Sequence, residues 1–133
     1  MIGRAIALDL STRHHVTAFD VSENNLALLS KRNPRIETKK TELNNYTSYP
    51  VWLTSFELVV TAVPGFMGYK TLEAVINCGK NVVDISFFPE DVLQLDRLAK
   101  EKEVTVITDC GVAPGMSNFI IGRYNEEMKI DAL

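Results

Sequence analysis

Short apolar runs alternate along this chain with stretches in which apolar residues return every three or four positions. The first pattern marks buried strands and the second marks amphipathic helices. Residues 3–13 read as a helix with Ile2, Ala5, Ile6 and Leu10 along one face, and Val16-Thr17-Ala18-Phe19-Asp20 reads as a strand. Ser22 is placed to cap a second helix that carries Glu23 in its first turn and runs to about Arg32. Val21 and Leu26 occupy the two positions of a hydrophobic staple. Residues 35–40 suit a weak edge strand, whereas 44–56 show no clear period. The run 58–63 is nearly all apolar, as in a strand covered on both faces. The helix expected over 67–78 buries Leu72, Val75 and Ile76, and Gly79 ends it. A strand follows at 81–86, and Pro89 then suits the first turn of another helix, with Glu90 and Asp91 behind it. The run 104–108 leads to a last helix starting near Pro114 or Met116.

Strands separated by helices imply crossover connections, hence parallel pairing. The expected class is α/β, a doubly wound parallel sheet of about five strands with helices on both faces. Three strands end in turns that present backbone to a ligand: Thr61-Ala62-Val63 into Pro64-Gly65, Asp84-Ile85-Ser86 into Phe87-Phe88-Pro89, and Ile107-Thr108 into Asp109-Cys110-Gly111-Val112-Ala113-Pro114-Gly115. Side by side, such carboxyl edges form a crevice, the usual ligand site of an open α/β sheet.

Composition narrows the partners. The 133 residues carry a net charge of −3, which gives no electrostatic reason to expect nucleic acid or an anionic membrane. No apolar run has the length of a membrane span. The two cysteines, Cys78 and Cys110, are too few for a disulfide framework, and a reduced cytoplasmic setting is the expectation. The basic stretch from Lys31 to Lys40 reads as a solvated helix end and loop, and His14-His15 as a surface loop with no metal role.

A dinucleotide-binding sheet opens with a strand, Gly-x-Gly-x-x-Gly and a helix, with an acidic residue about 20 residues further on. Gly3 stands where the third glycine belongs and Asp20 where the ribose-binding carboxylate belongs. The opening strand and the first two glycines have no counterpart in this sequence.

Gly3-Arg4-Ala5-Ile6-Ala7, Thr61-Ala62-Val63-Pro64-Gly65, Val82-Val83-Asp84-Ile85-Ser86-Phe87 and Gly111-Val112-Ala113-Pro114-Gly115-Met116-Ser117-Asn118 together resemble the dinucleotide-binding domain of the saccharopine dehydrogenase family, most closely its lysine-dehydrogenase-like members. The resemblance implies one Rossmann-like domain over 1–133, lacking the first strand and shortened at both ends. Residues 114–133 would lead into a substrate domain that the chain does not include. It further implies a nicotinamide-dependent oxidoreductase acting on a lysine-type amino acid, with homo-oligomers possible. Gly3, Asp20, Val63, Pro64, Ile85 and Ser86 would face the cofactor; Ser86, Phe87 and Ala113 would face the substrate, and Val112 would help close the site. Saccharopine-forming relatives often carry Asp where this chain has Ala113. NAD is expected over NADP, because Asp20 repels a 2′-phosphate and no Lys or Arg lies in 21–25. The catalytic acid or base is not identified, and the isolated chain is expected to be inactive. The alternative is a non-catalytic remnant or interaction module that retains the fold.

Two further residues have competing readings. Asp84, between apolar neighbours, is either a structural acid held by a turn N–H or a catalytic one. Cys110 is either a nucleophile or metal ligand or, with no His or Cys near it in sequence, a small neutral residue in a crowded turn. In the family's strand order the absent strand falls between 16–20 and 58–63. Direct closure of those two strands, or a strand from a second copy, is expected in preference to an open slot.

Overall fold

The computed structural model describes residues 2–128 and forms two compact units, Met1–Trp52 and Leu53–Leu133. The first contains α1 (Ile2–Leu10), β1 (Thr17–Asp20), α2 (Glu23–Arg32) and β2 (Glu37–Lys40), followed by a 3-10 turn (Tyr46–Ser48) and the start of α3 (Tyr49–Leu53). β1 and β2 are parallel, with Thr17 opposite Glu37 and Asp20 opposite Lys40. Their core is Ala7, Leu29 and Ile36, against which Leu8, Val16 and Ala18 pack. Ser22 caps α2 as its sequence position predicts, its hydroxyl accepting from the Asn25 N–H at 3.3 Å.

Three local expectations change here. α1 buries Ala7, not the face running through Ile2 and Ala5, because Leu29 and Ile36 approach from the Ala7 side. The staple does not close: Leu26 is buried but Val21 stays exposed, at a turn fixed by the Asp20 carboxylate. The unpatterned 44–56 stretch contributes to an aromatic cluster, with ring centroids 5.8 Å apart for Tyr46–Tyr49, 5.3 Å for Tyr49–Trp52 and 6.4 Å for Phe19–Trp52. Packing of that kind leaves no helical period to read.

The second unit contains β3 (Leu58–Thr61), α4 (Gly65–Asn77), β4 (Asn81–Asp84), a 3-10 turn (Val92–Leu95), α5 (Asp96–Glu101), β5 (Val106–Ile107) and α6 (Met116–Glu127). Its strands lie in the order β3-β4-β5, all parallel, with Val60 opposite Val83 and Val83 opposite Ile107. Leu72, Val75, Ile76 and Val82 form its fully buried centre. Gly79 ends α4 with φ +66°, and its N–H bonds the Ile76 carbonyl at 2.8 Å. β3 is not covered on both faces along its length, since Leu58 at its start is half-exposed. Pro89 does not open a helix: Asp91 accepts from the Leu93 N–H at 3.0 Å and starts the 3-10 turn at Val92. A side-chain cap at Asp91 outcompetes the conformational preference of Pro89.

The strands therefore form two parallel sheets, one of two strands and one of three, instead of a single sheet. The expected direct closure of β1 onto β3 is not formed. Each sheet keeps its own helical packing, α2 on β1 and β2, α4 on β3 and β4. The class remains α/β with parallel strands and crossover helices, a Rossmann-like arrangement. The stretch 129–133 lies outside the described residues.

Candidate functional site

The carboxyl ends of β3 and β4 converge on Asp84, whose side chain is fully buried. Thr61, at the end of β3, donates its hydroxyl to Asp84 Oδ1, and the Ser86 N–H donates to Oδ2 at 3.1 Å. The Cys110 N–H, beyond β5, donates to the Asp84 carbonyl at 3.2 Å. One residue thus ties together the turns that follow all three strands. Burial pushes the Asp84 carboxyl above the ordinary carboxylate range; the bonds from Thr61 and Ser86 oppose this, and the nearby Asp109 adds to it. Ser86 is buried beside it, and its hydroxyl has no hydrogen-bond partner among the described residues.

The turns after these strands are set by close packing. A Cβ on Gly65 would lie 1.9 Å from the Phe87 carbonyl oxygen, and one on Gly68 would lie 2.4 Å from Phe88 Cδ1. The start of α4 is therefore occupied by the loop after β4, and its glycines serve that crossing instead of a phosphate. Phe88 also meets Tyr69 edge to face at 5.9 Å. After β5, Gly115 has φ +131°, and a Cβ there would fall 2.3 Å from the Gly111 carbonyl oxygen. The Met116 N–H bonds that same carbonyl at 2.9 Å, which folds 111–116 into a compact turn.

The expected site residues fall into two groups. In the second unit, Val63 and Ile85 are half-buried, Ser86 is buried, and Pro64, Phe87, Val112 and Ala113 are exposed around the strand ends. In the first unit, Gly3 lies in the opening turn of α1 and Asp20 ends β1. Asp20 is engaged locally: Oδ1 accepts from the Ser22 N–H at 2.7 Å and Oδ2 from Asn25 Nδ2 at 3.2 Å. Helix-start chemistry thus accounts for its position, and each oxygen retains a lone pair for a ribose hydroxyl.

Lys40, which the sequence places only in a solvated basic stretch, comes to lie beside Asp20. It sits opposite Asp20 on the neighbouring strand, and its Nζ bonds Glu23 Oε2 at 3.2 Å. The 21–25 window missed it because the pairing of β2 with β1, not chain proximity, brings it there. Cys110 is exposed, not crowded, with its Sγ 3.6 Å from the Thr108 carbonyl. Cys78 is half-buried, and burial raises its thiol pKa against the pull of Lys80 and Lys102. Among the described residues no three His, Cys, Asp or Glu side chains gather as a metal site.

Taken unit by unit, the donors are of the kind a dinucleotide uses: in the first a carboxylate at the end of β1, and in the second a buried hydroxyl after β4 with no partner among the described residues. The saccharopine dehydrogenase NADP binding domain profile matches residues 1–107. The chain belongs to that family. Its match covers Gly3, Asp20, Thr61, Asp84 and Ser86 and stops before the Gly111–Gly115 turn. Saccharopine dehydrogenase [NADP(+), L-glutamate-forming] of Pyricularia oryzae is 23% identical over 87 residues, covering 65% of this chain and 19% of the relative. Among solved structures, GenD2 from gentamicin A biosynthesis, in complex with NAD, aligns with TM-score 0.62 and 19% identity, over 81% of this chain and 31% of that one. Biliverdin reductase from Synechocystis sp. PCC 6803, in complex with biliverdin and NADP+, aligns with TM-score 0.52 and 19% identity, over 70% and 28%. This saccharopine dehydrogenase-like domain thus spans about a fifth of the curated relative's length.

Proposed function

We propose that the chain is the dinucleotide-binding part of a nicotinamide-dependent oxidoreductase acting on a lysine-type amino acid, with 1–133 serving as one cofactor domain and 114–133 leading toward substrate-binding elements. The observation that carries this reading is the family match across 1–107. Gly3 and the start of α1 face the pyrophosphate, Asp20 the adenosine ribose, Val63 and Pro64 the cofactor's path, and Ile85 and Ser86 the nicotinamide ribose. Ser86, Phe87 and Ala113 line the substrate side. The bound cofactor supplies the hydride chemistry. The chain's part is to orient it, and Asp84 holds the Thr61 and Ser86 turns in place for that.

NAD is preferred in this reading. Asp20 repels a 2′-phosphate, and Lys40, the cation nearest in register, is already paired with Glu23. Fluorescence titration with NADH and NADPH tests both points: saturable binding with NADH tighter is expected. Absence of binding by either overturns the cofactor-domain reading, and tighter NADPH overturns the preference. The 133-residue chain alone is expected to give no turnover of lysine or saccharopine above a no-enzyme control.

A further inference from the structure

Two arginines and two histidines meet at the amino-terminal edge of the first sheet, the end away from Asp20. Ser11, Thr12, Arg13, His14, His15 and Arg35 line an open cleft of about 230 Å³ there. Arg13, His14 and His15 precede β1, whose first residue is Thr17, and Arg35 precedes β2, whose first residue is Glu37. Because the strands are parallel, the cleft lies at their amino ends, about 13 Å of strand away from the Asp20 edge. It is therefore separate from the cofactor's ribose position.

The cleft is built, not merely a charged surface. Ser11, one of its lining residues, is buried, 8% exposed. Asn33, which caps the end of α2, donates through Nδ2 to Ser11 Oγ at 2.9 Å and accepts through Oδ1 from the Arg35 N–H at 3.1 Å. A single amide thus fixes the segment carrying Arg13 against the segment carrying Arg35. A cation beyond the end of α1 also complements that helix's dipole, but this does not account for Arg35, which comes from another segment. No carboxylate lines the cleft. Asp9 lies one turn before Arg13, and Glu37 accepts from Thr17 Oγ1 at 3.3 Å. Among the described residues neither Arg13 nor Arg35 takes part in a salt bridge, although other basic side chains of this net-negative chain do.

We propose that this cleft binds a small phosphate-class oxyanion, either inorganic phosphate or the phosphate of a small ester. Two guanidiniums match the oxygens of a tetrahedral anion with paired N–H donors. The volume falls below the roughly 300–1,000 Å³ of sites for larger ligands, which selects a phosphate and a few attached atoms over a nucleotide.

The test is calorimetric titration of the full chain with inorganic phosphate and with glycerol phosphate at low ionic strength. Saturable binding is expected, with a Kd of about 1 mM or below. Binding of the ester tighter than phosphate assigns an ester; equal or weaker binding assigns the free ion. The exposed pair Arg13→Ala/Arg35→Ala should weaken binding about tenfold or more, and the equally charged remote pair Lys70→Ala/Lys102→Ala by less than about twofold. Asn33→Ala keeps every charge but should also weaken binding, with circular dichroism reporting that the fold is retained. If Asn33→Ala unfolds the chain, the two charge pairs decide. Absence of saturation by about 20 mM phosphate, or equal losses from both charge pairs, overturns the site.

Discussion

At Asp84 burial favours the neutral carboxyl, while Thr61 and the Ser86 N–H favour the anion, and burial wins. The folded chain therefore holds this proton to higher pH than the unfolded chain does. Its contribution to stability is full below the unfolded carboxylate pKa, about 4, and is lost as pH rises through the folded value. Urea unfolding of the wild type and of Asp84→Asn across the acid range isolates the effect. The stability of the wild type relative to the variant is expected to fall as pH rises; a flat or rising difference contradicts it. Asp20 presents a different balance, since its carboxylate accepts from two local donors, the Ser22 N–H and the Asn25 side chain, and in the proposed reading also selects the cofactor. Asp20→Asn should shift the NADPH-to-NADH affinity ratio toward NADPH by about tenfold, or roughly 1.4 kcal/mol. Glu23→Gln, which frees Lys40 from its partner, should move the ratio the same way, and both shifts are read in the same fluorescence titration.

Helices α4 and α6 are of similar length and opposite in burial. α4 places Leu72, Val75 and Ile76 completely out of water, whereas α6 buries none of its side chains and leaves Phe119 78% exposed. Leu72→Ala should destabilise by about 2–5 kcal/mol through lost transfer energy and the cavity left behind. Phe119→Ala should stay within about 0.5 kcal/mol, and chemical denaturation distinguishes the two. Gly115→Ala should cost more than about 1 kcal/mol, because the new Cβ meets the Gly111 and Asp109 carbonyls in a backbone region that alanine avoids. The elements most legible in the sequence were those whose signals are local. Ser22 announced its cap, Gly79 its helix end, and the apolar spacing in α4 its buried face. What stayed hidden depends on contacts distant in sequence. The inward turn of Ala7 is set by Leu29 and Ile36, the position of Lys40 by the β1–β2 register, and the glycines of α4 by the crossing of Phe87 and Phe88. Asp20 and Asp84 could be singled out from the pattern, but the partners of their oxygens could not.

Across the whole molecule burial is uneven, and that sets where the chain opens first. β4 lies between β3 and β5, so hydrogen bonds leave it on both sides: the Val82 N–H to Thr105 at 3.0 Å, and at the far end the Ile85 N–H to Thr61 at 3.1 Å. Val82 and the buried face of α4 are out of water, so exposing their amides requires breaking the second unit's core. In the first unit β2 has β1 as its ladder partner, and its four residues are mostly exposed. α6 has helical hydrogen bonds but no core, and a helix of that length without packing is marginal in water. Native-state hydrogen exchange should therefore rank the amides, with α4 and β4 slowest, β1 and α2 between, and β2 and α6 fastest. The slowest amides should exchange with the free energy of global unfolding, while those of α6 should exchange by local fraying that hardly responds to denaturant. Protection of α6 equal to that of α4 in a dilute sample would contradict this ranking, because it would require the apolar side chains of Met116, Phe119, Ile120 and Tyr124 to be covered.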